Sequence, residues 1–206
     1  MDRNMKIAEH ITLIGGSMSN YYDIDVSGSH YLIDAGMSSS VQRIIEYYRK
    51  MGSRPEAVLI THSHVDHVGG LYAIYREFSP RIYVPDIEVD VVRGTSKMRP
   101  PASLTGRVIT SLIKAKPVPQ AIPLSEWKGK DIIPVPTPGH TVGSTSYFLE
   151  SENALFIGDA LFNRSGMLII RKSLAYDYEE CLRSERIIMD HPARLLLPGH
   201  GATFSK

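Results

Sequence analysis

Three histidines and an aspartate fall within six consecutive positions: His62, His64, Asp66 and His67, in the stretch Thr61-His62-Ser63-His64-Val65-Asp66-His67-Val68-Gly69-Gly70. Imidazole and carboxylate are borderline-to-hard donors that suit zinc, iron, manganese or cobalt. In an extended segment residues two apart point the same way, so His62 and His64 can hold one ion together. Asp66 and His67 follow where the chain turns and can serve a second ion. A single histidine in a turn is ordinarily a surface residue, but this clustering is not explained that way.

Three more donors sit beside glycine, each at the end of an apolar run. Ile132-Ile133-Pro134-Val135 leads into Thr137-Pro138-Gly139-His140-Thr141-Val142-Gly143-Ser144. Ala154-Leu155-Phe156-Ile157 leads into Gly158-Asp159-Ala160-Leu161-Phe162, and Leu195-Leu196-Leu197 into Pro198-Gly199-His200-Gly201. Glycine lets a backbone turn sharply and approach closely. If these strand ends share one edge, His140, Asp159 and His200 converge on the first cluster.

The elements that position these groups read as short strands and amphipathic helices. Ala57-Val58-Leu59-Ile60 is a buried strand, and Leu71, Tyr72, Ile74, Tyr75 and Phe78 recur at helical spacing, so the first cluster lies on a strand-to-helix turn. Strands are expected at 11–15, 20–26, 30–34, 57–61, 81–84, 131–135, 145–149, 154–158 and 194–197. Val41, Ile44, Ile45 and Tyr48 mark one helix ending near Gly52; Tyr178, Cys181, Leu182 and Ile188 mark another. Asp34 ends the third strand, either as a loop cap or as a support for the metal ligands. Strands followed by a helix and another strand occur in both halves, which suggests a structural duplication with two sheets and helices outside. Residues 85–120 are proline-punctuated, with a helical pattern through Leu104, Val108, Ile109, Leu112 and Ile113. They form either a lid or pocket wall, or an ordinary crossover helix. Lys97, Arg99, Arg107 and Lys114 lie there, as surface charges or as contacts for an anionic substrate. His10, His30 and His191 are expected at the surface.

A chain of 206 residues, 43% hydrophobic and 22% charged, fits one domain spanning 1–206. A net charge of +1 without a polybasic run gives no support for a nucleic-acid or membrane-surface role. No apolar run approaches the length of a membrane span. Met1 to His10 lacks the apolar core of a signal peptide. The lone cysteine, Cys181, forms no internal disulfide, agrees with a cytoplasmic setting and reads as a buried thiol.

THSHVDHVGG, PTPGHTVGS, FIGDALF and PGHG resemble the successive metal motifs of the metallo-β-lactamase-fold hydrolases, in order and approximate spacing, from about Ile11 to Gly201. The resemblance implies a four-layered αββα sandwich with metals at one edge. Carried over, it gives His62, His64 and His140 to one metal, Asp66, His67 and His200 to a second, and Asp159 to both, with Asp34 as a supporting acid. It implies two divalent ions, zinc first, with iron or manganese as alternatives, a small-molecule substrate and a homodimer. PGHTVGS with FIGDALF is most similar to the glyoxalase II-like branch, which cleaves glutathione thioesters. Glyoxalase II adds a C-terminal helical domain, whereas six residues follow His200 here. Arg164, Arg171 and Lys172 do not align securely with that family's glutathione contacts. Zinc β-lactamases commonly carry cysteine where Asp159 stands.

The chemistry expected is hydrolysis of an ester, thioester or lactone carbonyl by water that two ions about 3.5–4 Å apart acidify, with Asp66 orienting it and shuttling its proton. Two rivals are a persulfide dioxygenase using one iron on His62, His140 and Asp159, and a non-enzymatic binding module.

Overall fold

Period-two alternation along the strands sorts the apolar side chains into three cores. The structure, a computed structural model, describes residues 4–15, 18–111 and 115–206. The first sheet contains β1 (Asn4–Ala8), β2 (Ile11–Ile14), β3 (Tyr22–Val26), β4 (Ser29–Ile33), β5 (Pro55–Leu59), β6 (Arg81–Val84) and β7 (Ile122–Pro123), side by side in that order. β1 to β4 form an antiparallel meander, and β4 to β7 run parallel. Next come β8 (Ile132–Pro136), β9 (Thr145–Leu149) and β10 (Ala154–Gly158), then a separate ribbon of β11 (Phe162–Arg164) with β12 (Met167–Ile169), then β13 (Leu195–Pro198) and β14 (Phe204–Ser205). The second sheet has the order β14-β13-β10-β9-β8. The helices are α1 (Val41–Met51), α2 (Val65–Val68), α3 (Leu71–Phe78), α4 (Val89–Arg93), α5 (Leu104–Ser111) and α6 (Tyr178–Asp190).

In β5, Val58 faces Ile44 and Tyr48 of α1 and Leu71 and Ile74 of α3. Its neighbours Ala57 and Leu59 face the other way and meet Tyr147, Leu149, Phe156 and Leu197 of the second sheet. Tyr22 meets Phe156 edge-on across that space, centroids 5.3 Å apart. Leu155, Ile157 and Leu196 point outward to Ile188 of α6. The layers are therefore helices, sheet, sheet and helix, the αββα sandwich of the expected fold.

The anticipated strands are present, with ends displaced by no more than two residues. The structure adds β1, β7, the β11–β12 ribbon and β14, each only two to five residues long and, apart from the apolar β12, without an apolar run. Each sheet holds a parallel pair joined across a helix: β4–α1–β5, and β10 to β13 by way of α6.

Residues 85–120 are both core and wall. Val89, Val92, Val118 and Ala121 join the core under α1 and α3, whereas Leu104 and Val108 are exposed on α5. The rest of that apolar pattern cannot be placed: Leu112, Ile113 and Lys114 lie outside the described residues, as does the side chain of Ile109. The segment closes onto residues 171–175, where Ala102 N–H donates to Ala175 O at 3.0 Å.

His10, His30 and His191, expected at the surface, are each partly exposed and partly buried. His30 Nδ1 lies 3.0 Å from buried Asp23, which also accepts from the Tyr47 and Tyr48 hydroxyls at 2.8 and 2.7 Å. A buried carboxylate needs such donors, and His30 is one. His191 packs edge-on against Phe148 at 4.5 Å. Among the described residues no helix is long and apolar enough to cross a membrane.

Candidate metal centre

Strand direction brings the donors together. β8 and β10 are both antiparallel to β9 and so run the same way, and β13 is parallel to β10. Their C-terminal ends carry His140, Asp159 and His200. In the facing sheet the C-terminal ends of β4 and β5 carry Asp34 and the loop 60–64, and α2 carries Asp66 and His67.

The donors fall into two groups, within each of which the ligand atoms lie within 4.8 Å of one another: His62, His64, His140 and Asp159, and Asp66, His67 and His200. In the first group His64 Nδ1 is 3.1 Å from His62 Nε2 and 2.8 Å from His140 Nε2. In the second, His200 Nε2 is 3.2 Å and His67 Nε2 3.7 Å from Asp66 Oδ2. Asp159 lies between them. Its Oδ2 is 3.3 Å from both His140 Nε2 and His200 Nε2, and its Oδ1 is 3.2 Å from His67 Nε2.

The donor set fits metal ions. His64 Nδ1 faces two other ring nitrogens and one proton on it can serve only one of them, whereas a cation suits all three. His67 Nε2 and Asp159 Oδ1 face each other at 3.2 Å, buried and without a well-directed hydrogen bond among the described residues, and a bound cation would satisfy both.

Backing contacts set which nitrogen each ring presents. Asp34, left-handed at φ 60, accepts from Thr61 N–H and Thr61 Oγ1, both at 2.8 Å, and is 2.7 Å from His67 Nδ1. Since Asp34 takes the Thr61 hydroxyl proton, that oxygen can accept from His62 Nδ1 at 3.0 Å. Both rings then turn Nε2 toward the site. Asp34 therefore lies against Thr61 and the His67 ring.

Sequence reasoning missed Glu88. It is 4% exposed and joins two ligand loops: it accepts from Ser63 N–H at 2.5 Å, from Gly143 N–H at 2.9 Å and from the Thr141 hydroxyl. It also missed Asn20 and Tyr22, which clamp the His200 loop. Asn20 Nδ2 donates to Pro198 O at 2.9 Å and Gly201 O at 2.8 Å, and the Tyr22 hydroxyl donates to Pro198 O at 2.8 Å. The one available signal was a buried acid or amide near a motif, which is weak. Phe162, from the quoted FIGDALF stretch, stacks on the His200 ring at 5.0 Å. Glycine is required at two of the loops: a Cβ at Gly199 would stand 2.4 Å from Asp159 Oδ1, and Gly139, at φ 123, packs against the backbone of Cys181.

Electrostatics separates the rings. Burial pushes His62 and His64 below the ordinary imidazole value and His140 down to about 3, so all three are neutral donors. Burial also opposes charge on His67, but Asp159, Asp34 and Asp66 hold it well above the ordinary value. His200 is likewise opposed by burial yet carried up to about 9, chiefly by Asp159. Burial raises Asp66, and the His67 charge with the His200 hydrogen bond brings it down to about 2.

Residues 14–200 match the family model of the metallo-β-lactamase superfamily. The chain belongs to that superfamily. Among its curated relatives are a probable metallo-hydrolase, YflN of Bacillus subtilis (strain 168), 29% identical over 89% of this chain and 81% of that one, and YobT of the same strain, 28% identical over 88% and 82%. A hydroxyacylglutathione hydrolase of Buchnera aphidicola is 32% identical over 88% of this chain but 61% of its own length. Solved structures share the fold. TTHA1623 in a di-iron-bound form has a TM-score of 0.74 at 22% identity, covering 94% of this chain and 92% of that one. The B3 metallo-β-lactamase BLEG-1 has 0.68 at 24% identity over the same shares. The superfamily and the two relatives named as hydrolases make the chain a metallohydrolase by descent.

Proposed function

We propose that the chain is a dinuclear metallohydrolase that cleaves an ester or thioester, as the hydroxyacylglutathione hydrolases among its relatives do by name. The observation that carries this reading is Asp159, whose two oxygens face both donor groups. His62, His64 and His140 would hold one ion and Asp66, His67 and His200 the other, with Asp159 shared. Zinc suits the set first, then iron or manganese. When bound, a pair of divalent ions supplies an acidified water and polarises the carbonyl oxygen.

The chain's own residues supply the rest. The side chain of Asp66 is 23% exposed, so it reaches the solvent side of the centre. It orients the attacking water and takes its proton. Asp34 and Thr61 fix the His67 and His62 rings, so the donors need no rearrangement. The substrate is a small molecule, handled by a single domain over residues 1–206 in a homodimer and in the cytoplasm.

The test is elemental analysis of the purified protein beside a thioester panel. Two ions per chain with turnover supports the reading. A single iron without hydrolysis, and with oxygen uptake on persulfide, replaces it with sulfur oxidation.

A further inference from the structure

Beside the first donor group lies a cleft of about 110 Å³ that the chemistry above does not use. Buried Ser63 lines it, with Val91, Met98 and Val142 as apolar lining and the exposed Lys97 and Arg99 on its solvent side. Ser63 sits between His62 and His64 and is 6% exposed, and its Oγ has no hydrogen-bond partner among the described residues. A buried hydroxyl left unsatisfied is costly, and a ligand acceptor relieves it. Lys97 and Arg99 are exposed and have no carboxylate partner among the described residues. Glu88, the acid of the lining, is turned to the Ser63, Thr141 and Gly143 donors and makes no ion pair with either of them among the described residues. The volume is below the roughly 300 Å³ of a pocket that takes a whole ligand, so it suits one short arm of a substrate.

The geometry points to a subsite for a short arm ending in a carboxylate. The methylenes of the arm lie against Val91, Met98 and Val142. Its carboxylate meets Lys97 and Arg99, and Ser63 Oγ–H donates to an acceptor at its inner end. A bare phosphate would leave the apolar walls without contact. The inference rests on the hydrolase reading for what is cleaved, and on the cleft alone for where the arm binds.

The test uses metal-loaded protein and two matched thioester pairs. One pair carries a glutaryl acyl group or its isopropyl-ended isostere; the other carries the same two arms on the thiol side. In one pair the charged member is expected to have a kcat/KM about tenfold or more above its isostere, through KM, the size of one hydrogen bond to a charged group. Lys97→Gln with Arg99→Gln should abolish most of that preference at equal metal content. No preference in either pair, or one that survives the double variant, overturns the subsite. If no thioester is hydrolysed, the hydrolase reading fails and glutarate decides the subsite separately. A rise in Tm with glutarate that shrinks in the double variant supports it. An equal rise in both proteins, or none, overturns it.

Discussion

The two donor groups use the same chemistry and differ in support. His62, His64 and His140 are buried on two loops tied to each other by Glu88, and Gly139 in the His140 loop packs on Cys181. In the other group His67 is buried against Asp34, but the side chains of Asp66 and His200 remain 23% and 21% exposed. The first half is a closed seat and the second an open one, with Asp159 common to both. Rigid donors preorganise binding, while exposure admits water and substrate, which is why the proposed proton transfer is assigned to the open half.

Asp66→Asn tests the open half most severely. Turnover is expected to fall by about 10²–10⁴-fold with circular dichroism unchanged and some metal retained. Near-normal turnover would leave Asp66 a metal donor only. Asp34→Ala comes next: it strips acceptors from Thr61 and His67, and metal affinity should drop about 10–100-fold in chelator competition. An unchanged affinity would show that packing alone holds the His67 ring.

Histidine replacements compare the halves directly. His200→Ala should leave about one ion per chain, whereas His140→Ala should also lower Tm, by roughly 2–4 °C for each kcal/mol lost. Equal effects in both variants would erase the distinction. Glu88→Gln should cost about 1–3 kcal/mol in denaturant unfolding, and exposed Glu126→Gln should not.

The smallest effect concerns Cys181, behind the closed half. Burial raises its thiol from 9.0 to about 12, with Asp177 and Glu180 adding to the shift. The folded state therefore favours the protonated thiol. That contribution is whole below about pH 9 and is lost as pH climbs toward 12. Cys181→Ala should flatten the alkaline fall in stability, and the wild-type thiol should alkylate slowly at pH 8 until the protein unfolds.

Much of the fold was legible because its signals are local. Apolar runs marked β5, β10 and β13, and spacing marked α1 and α3. β1, β7, β11 and β14 were not legible, since two to five residues without an apolar run resemble loop, and β12 was missed although Met167 to Ile170 are all apolar. The half-burial of His30 was not legible because its partners Asp23, Tyr47 and Tyr48 come from other elements.

The same division holds at the site. The types and spacing of His62, His64, Asp66 and His67, and the glycine-flanked His140, Asp159 and His200, determined which atoms could meet a metal, because donor chemistry and strand period reside in neighbouring residues. Only the tertiary structure decided that Asp159 stands between two groups, that Glu88 ties the Ser63 and Thr141 loops, that Asn20 and Tyr22 clamp the His200 loop, and that Lys97 and Arg99 border a cleft beside Ser63. Those contacts join residues tens to more than a hundred positions apart, and pairing at that range leaves no periodicity in a single chain for sequence reading to detect.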